Sequence, residues 1–267
     1  MDAAASKIAR SSIFVIYFTQ LLLVVDVKGH AWCPSVCVCT VWYVGDIVIT
    51  CENQNLTRIP PDMPLNVTFL TLSGNLGLDV KQEKWDRFEN LKSLSLAETN
   101  MGDVSADILE GLSGLEYLNL GMNNITHIEP DSFSQMKNLQ ELSLADNSIT
   151  QLHPRTFANL KNLKNLFLDN NLLETVDQAV FSSLQKLKIL RLNQNPITFI
   201  PPYAFSQLKE LVKLELHACL IYSVHQHAFA GMVKLEYLDL SVHLLTYLPD
   251  KVFSDLRKLR LLNLAQV

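Results

Sequence analysis

Starting at Val67, a leucine-type residue returns every 24 residues without slippage, at Val67, Leu91, Leu115, Leu139, Leu163, Leu187, Leu211, Leu235 and Leu259. Each opens the pattern L-x-x-L-x-L-x-x-N, complete in Leu139, Leu142, Leu144 and Asn147. A fixed period of this size means one supersecondary unit that cannot bury its apolar face alone and stacks on copies of itself. It predicts a solenoid and directs the search for function to a surface rather than a pocket. The leucines at positions 1, 4 and 6 combine a turn with a short alternating strand, so the intervening residues face the other way. Nine such strands, stacked at about 4.8 Å, make a parallel sheet about 40 Å long.

The second half of the unit repeats as well. Phe133, Phe157, Phe181, Phe205, Phe229 and Phe253 fall at one position, with Trp85 and Leu109 holding it earlier. Three residues on come Phe88, Leu112, Met136, Leu160, Leu184, Leu208, Met232 and Leu256. These predict a phenylalanine spine and an apolar rib lining the convex side of the core. Position 9 is Asn75, Asn123, Asn147, Asn171 and Asn195. A buried asparagine must satisfy its donors and acceptor, and a neighbouring coil's backbone is within reach. Thr99, Cys219 and His243 interrupt this ladder, and each keeps a donor, so the expectation is weakening rather than a break.

Spacing and motif together read as an α/β leucine-rich repeat solenoid, a curved horseshoe with its parallel β-sheet on the concave face. Hydrophobic content of 48% against 18% charged residues suits a unit with many inward leucines. The net charge of −5 gives no hint of nucleic-acid binding, which normally needs a basic face.

Residues 1–31 read as a secretory signal. Lys7 and Arg10 form a positive start, Ile13 to Val25 an apolar run, and Gly29-His30-Ala31 a small-residue cleavage region. An uncleaved anchor is the rival, but the run is interrupted by Thr19 and Gln20 and stops at Asp26, short for a span. Residues 32–64 then hold Cys33, Cys37, Cys39 and Cys51. In a secreted chain an even cluster is a disulfide framework, whereas C-x-x-x-C-x-C followed by a long gap is poor zinc spacing. Residue order alone permits three pairings. Val41-Trp42-Tyr43-Val44 and Ile47-Val48-Ile49 flank Gly45-Asp46, predicting a hairpin that covers the apolar end of the first coil.

The stretch Cys33-Pro34-Ser35-Val36-Cys37-Val38-Cys39, then Cys51, then Leu56-Thr57-Arg58-Ile59-Pro60 resembles the N-terminal cap of animal extracellular leucine-rich repeat proteins. Cap and repeats together resemble Slit, the Nogo receptor, LINGO-type adhesion proteins, Toll-like receptors and the variable lymphocyte receptors. The resemblance implies a disulfide-bonded β-hairpin cap with pairs Cys33–Cys39 and Cys37–Cys51. Those families close the far end with a second cysteine-rich cap. Here the repeats run over 65–267 as eight full units and the start of a ninth. The expectation is a further segment carrying that cap and any membrane association.

Chemistry is sparse. Sequons begin at Asn55, Asn66 and Asn124 and permit N-glycosylation. Cys219 falls on the inward ladder, where a buried inert thiol is expected. His217, His225, His227 and His243 lie on different sides of the coil and do not converge, so no metal is expected. No cofactor motif and no nucleophile–histidine–carboxylate set occurs, and an enzyme is not expected. What remains is the outward strand face, with Tyr117, Glu141, Asp146, Phe167, Asp169, Arg191, Lys213, Glu215, Tyr237 and Asp239. A rigid curved sheet bearing aromatics and charges is suited to binding a protein, and its acidic excess favours a partner with a basic patch. By resemblance the role is adhesion, guidance or reception at the cell surface or outside it. The alternatives are an immune pattern-recognition ectodomain and an extracellular-matrix structural protein.

Overall fold

Alternation at positions 3 to 5 closes into a strand at the same place in every coil. Counting coils from Val67, these are Phe69–Thr71, Ser93–Ser95, Tyr117–Asn119, Glu141–Ser143, Asn165–Phe167, Ile189–Arg191, Lys213–Glu215, Tyr237–Asp239 and Leu261–Asn263. They pair in parallel and in register, so each position-4 leucine lies beside its counterpart one coil away. The computed structural model describes Val25–Asp26, 32–42 and 45–266. The signal-peptide reading therefore lies outside the described residues, apart from Val25–Asp26, which runs antiparallel to Thr40 and Val41.

From Leu115 to Leu240 every leucine at positions 1, 4 and 6 is at most 1% exposed. Burial of each such side chain stabilises by about 1.5–3 kcal/mol, but only when a neighbouring coil supplies the other wall. Behind them the phenylalanine spine forms as expected. Phe133 and Phe157 stack at 6.3 Å, and Phe205 and Phe229 at 6.3 Å. Trp85 fills the same place in the first coil, its indole N–H donating to the Ile108 carbonyl at 3.0 Å. Convex connections are mostly turns, with one α-helical turn, Gln178–Phe181, capped by Asp177.

Position 8 is what aims the asparagine inward. Gly74, Glu98, Met122, Asp146, Asn170, Gln194, Ala218, Val242 and Gln266 all hold φ between +53° and +74°. A left-handed residue after each strand turns the chain so that position 9 enters the core. Asn147 then accepts from the amides of Asn123 at 2.9 Å and Ile125 at 3.0 Å, and donates to the Leu120 carbonyl at 3.0 Å. Each asparagine thus reaches back to the preceding coil. Among the interruptions, Thr99 turns to its own coil's Leu96 carbonyl, Cys219 reaches the Leu192 carbonyl at 3.3 Å, and His243 Nδ1 sits 2.9 Å from the Cys219 carbonyl. The ladder is thinned there and not broken.

The cap is the expected hairpin. Val38–Val41 runs antiparallel to Ile47–Thr50, which pairs in parallel with the first coil. Gly45, at φ +86°, donates to the Trp42 carbonyl at 2.8 Å. The disulfides are Cys33–Cys39 and Cys37–Cys51, as the resemblance implies. Asn75 ties the cap down by donating to the Cys51 carbonyl and accepting from the amides of Gln54 and Leu56.

Candidate binding surface

The concave sheet divides along its length. In the first two coils most outward residues after Phe69 are small hydroxyls, with Thr71, Ser93 and Ser95 buried and Ser73 hydrogen-bonded to Ser95 at 2.8 Å. Apart from Phe69 and the exposed Glu98 at position 8, large and charged side chains begin at half-buried Tyr117 in the third coil. Nearer the cap, Trp42 packs on Phe69 with ring centroids 5.0 Å apart.

Coils 5 to 8 bring the expected residues together in one connected group. The Arg191 guanidinium lies 4.8 Å over the Phe167 ring and pairs with Glu215 at 2.7 Å. Glu215 uses its other oxygen for Lys213 at 2.6 Å, and that ammonium sits 4.8 Å over the Tyr237 ring. The Tyr237 hydroxyl donates to Asp239 at 3.2 Å. Asp239 also accepts from the Ser241 hydroxyl and from Asn263, and Ser241 contacts His217 Nδ1 at 2.9 Å. Partly solvated ion pairs contribute little stability, about 0–1 kcal/mol. Their effect here is to hold two aromatic rings and two cations in fixed places, which lowers the ordering cost of binding.

The acidic members behave differently from one another. Glu141 is only 2% exposed, although its position faces outward. One oxygen accepts from Asn165 at 2.8 Å, and the other has no hydrogen-bond partner among the described residues. Burial pushes its carboxyl above the ordinary range, only partly opposed by Asn165 and Arg191. Burial likewise raises Asp169, and the charges of Asp146 and Glu215 add to it. Asp239 is buried too, but hydrogen bonds from Ser241, Asn263 and Tyr237 outweigh that burial and hold it below the usual carboxylate range. Desolvation, then the charge of Asp239, raises the Tyr237 phenol. Asp146 accepts from Asn170 at 2.6 Å at the rim of the face.

Other expectations can be placed. Asn55, Asn66 and Asn124 are all exposed. Cys219 is 2% exposed, and burial pushes its thiol up to about 11. His225 and His227 lie together on the convex side with ring centroids 5.5 Å apart. No group of three or more His, Cys, Asp or Glu among the described residues is placed to hold a metal ion. An apolar surface escaped the sequence reading. Leu172, Leu220 and Leu244, all at position 10, are exposed on one lateral side beside Tyr222 and Tyr247. Its signal was leucine at position 10 in four coils, Leu76 included, where the others carry asparagine, serine or proline.

The family model described as leucine rich repeat matches in overlapping blocks from residue 65 to residue 266. Toll-like receptor 7 of Mus musculus is 29% identical over 85 residues, 31% of this chain and 8% of that protein. Leucine-rich repeat-containing protein 3B of Homo sapiens is 28% identical over 93 residues, 35% of each chain. Among solved structures, the complex of TLR13 with ssRNA13 superposes with a TM-score of 0.72 at 30% identity, over 74% of this chain and 28% of that one. The chain therefore spans well under two thirds of these relatives. A similar receptor solved with RNA removes the ground for excluding nucleic acid on net charge, because net charge averages over faces that differ.

Proposed function

This chain belongs to the leucine-rich repeat family, and we propose that it is the recognition part of an extracellular or cell-surface protein, binding a protein partner through its concave sheet. The observation that supports this most is the Phe167–Arg191–Glu215–Lys213–Tyr237 group, aromatic rings and cations held in register across adjacent coils. Aromatic residues and arginine dominate binding hot spots, and pre-ordering keeps their binding cost low. The role is recognition without catalysis, in adhesion, guidance or reception. The two disulfides of the cap fit an oxidising compartment. Glycans on exposed Asn55, Asn66 and Asn124 would mark surface that the partner leaves uncovered.

The test is to display the chain as a multimer against a panel of secreted and cell-surface proteins, then measure each hit with the Tyr117→Ala, Phe167→Ala double variant. Affinity should fall by roughly 1–3 kcal/mol with secretion intact. Hits that bind the variant as tightly as the parent place the site off the concave face. A second reading, an immune pattern-recognition ectodomain, is favoured by similarity to two Toll-like receptors. Selective binding of microbial or nucleic-acid ligands, with no protein hit, would establish it over the first.

A further inference from the structure

Charge on this molecule is sorted by edge. Repeat positions 23, 24 and 2 form the edge where each concave strand begins. Between Lys137 and Arg260 that edge carries ten of the chain's 22 Lys and Arg residues and only two acidic ones, Glu210 and Glu236. The opposite edge, positions 7 to 15, carries no Lys or Arg from coil 2 to coil 8 and seven acidic residues, all in coils 2 to 5. A net charge of −5 conceals a basic edge facing away from an acidic one.

The basic residues come in successive crossings. Lys137 stands first, Lys161 and Lys164 cross next, and Lys186 and Lys188 lie one coil on. Lys209 and Lys234 follow, and Arg257, Lys258 and Arg260 close the row. All are exposed except half-buried Lys234. Among the described residues only Lys234 and Arg260 of this row are ion-paired, with Glu210 at 2.6 Å and Glu236 at 3.2 Å. Six crossings at about 4.8 Å make a track about 24 Å long, perpendicular to the strands.

Two observations indicate what lies on that track. First, a cleft opens on it, lined by Glu116, Asn138, Gln140, Asn162, Lys164 and Lys186. Its amides hold the ammonium groups in place: Lys164 donates to Gln140 at 2.6 Å and Lys186 to Asn162 at 2.7 Å. Amides beside fixed ammonium groups suit a chain bearing hydroxyls as well as anions. Second, no aromatic residue occurs at these three positions from Lys137 to Arg260, whereas single-stranded nucleic acids are held largely by stacking on aromatic rings. We propose that this edge binds a sulfated linear polysaccharide laid across coils 4 to 9. The site is separate from the concave protein face, and both can be occupied together.

The test is surface plasmon resonance of the full chain against immobilised heparin dodecasaccharide, the same oligosaccharide after desulfation, and oligouridylate. The stripe variant is Lys161→Gln, Lys188→Gln, Lys209→Gln, Lys258→Gln. The control, Lys81→Gln, Lys84→Gln, Arg155→Gln, Lys251→Gln, removes the same charge from exposed positions elsewhere. The stripe variant should lose about tenfold or more in heparin affinity, and its slope of log affinity against log salt should fall by about three to four. The control should bind like the parent, and the desulfated chain should not bind. An equal loss in the control, or no heparin binding at about 0.15 M salt, overturns the proposal. Tighter binding of oligouridylate through the same lysines also overturns it and assigns the edge to nucleic acid.

Discussion

Replacing Asn171 by alanine tests whether the asparagine ladder, rather than leucine burial alone, couples the coils. The Asn171 amide donates to the carbonyls of Leu144 at 2.9 Å and Leu168 at 3.2 Å, and its oxygen accepts from the Ile149 amide at 3.0 Å. The two carbonyls keep other donors, since Asn147 bonds Leu144 and Asn195 bonds Leu168. Only the Ile149 N–H is orphaned, in a core where that residue is 0% exposed. An unsatisfied buried donor costs about 1–3 kcal/mol, and the net loss of the remaining bonds adds about 1. Asn171→Ala should therefore destabilise by about 2–4 kcal/mol. The chain supplies an internal comparison at Thr99, whose hydroxyl bonds its own coil at Leu96 and the following Asn123 but not the coil before. Asn171→Thr should accordingly fall between parent and alanine. The assay is urea unfolding followed by circular dichroism, with hydrogen exchange read at the Ile149 amide. Because solenoid stability is carried by nearest-neighbour interfaces, a break between coils 4 and 5 should also lower the apparent m-value or split the transition. A loss under about 0.5 kcal/mol, within the range of ordinary surface changes, or an Ile149 amide protected as in the parent, refutes the reasoning.

Glu141→Gln should stabilise the protein at pH 7 by about 1 kcal/mol, because burial raises the folded-state carboxyl and ionised Glu141 therefore opposes folding. That penalty is fully present above the raised folded value and fades as pH falls through it towards the unfolded value, so the melting-temperature gap should close near about pH 4. An equal gap at both pH values rules this out. Val242→Asn should gain about 1 kcal/mol in chemical denaturation, since a β-branched residue is held at φ +60° on an exposed turn; a neutral or destabilised variant would show that the turn carries no strain. Cys219 should resist thiol reagents at pH 8 until the chain unfolds, because burial pushes its thiol up to about 11; rapid labelling of the native protein would contradict this.

The inward half of the repeat was legible because each inward position has one chemical requirement. Leucine at positions 1, 4 and 6, phenylalanine on the convex side and asparagine at position 9 each answer a single neighbour of known kind. The resemblance of the cap supplied the cysteine pairing, which residue order left open among three arrangements. Position 8 was not legible, since its left-handed φ is shared by Gly74, Glu98, Met122 and Val242, which have no residue type in common. The burial of the outward positions was not legible. Alternation places Glu141 outward, yet the structure leaves it 2% exposed. How deep an outward residue lies depends on the side chains one coil to either side, and a repeat pattern does not encode those.

The basic edge was missed for a different reason, and the reason generalises. In a globular domain, residues 24 apart fall at unrelated places, so net charge is a fair first measure of the field a partner meets. In a solenoid they fall on one line, and every repeat position becomes a separate surface strip with its own charge. Positions 23, 24 and 2 are basic from Lys137 on, while positions 7 to 15 are acidic in coils 2 to 5, and the sum erases both. Exposed charges more than about 8–10 Å apart are largely screened at physiological salt, so the acidic edge across the coil does little to cancel the field over the lysines. A polyanion approaching this molecule responds to the strip and not to the total, and for repeat proteins charge should be summed by repeat position before any class of ligand is excluded.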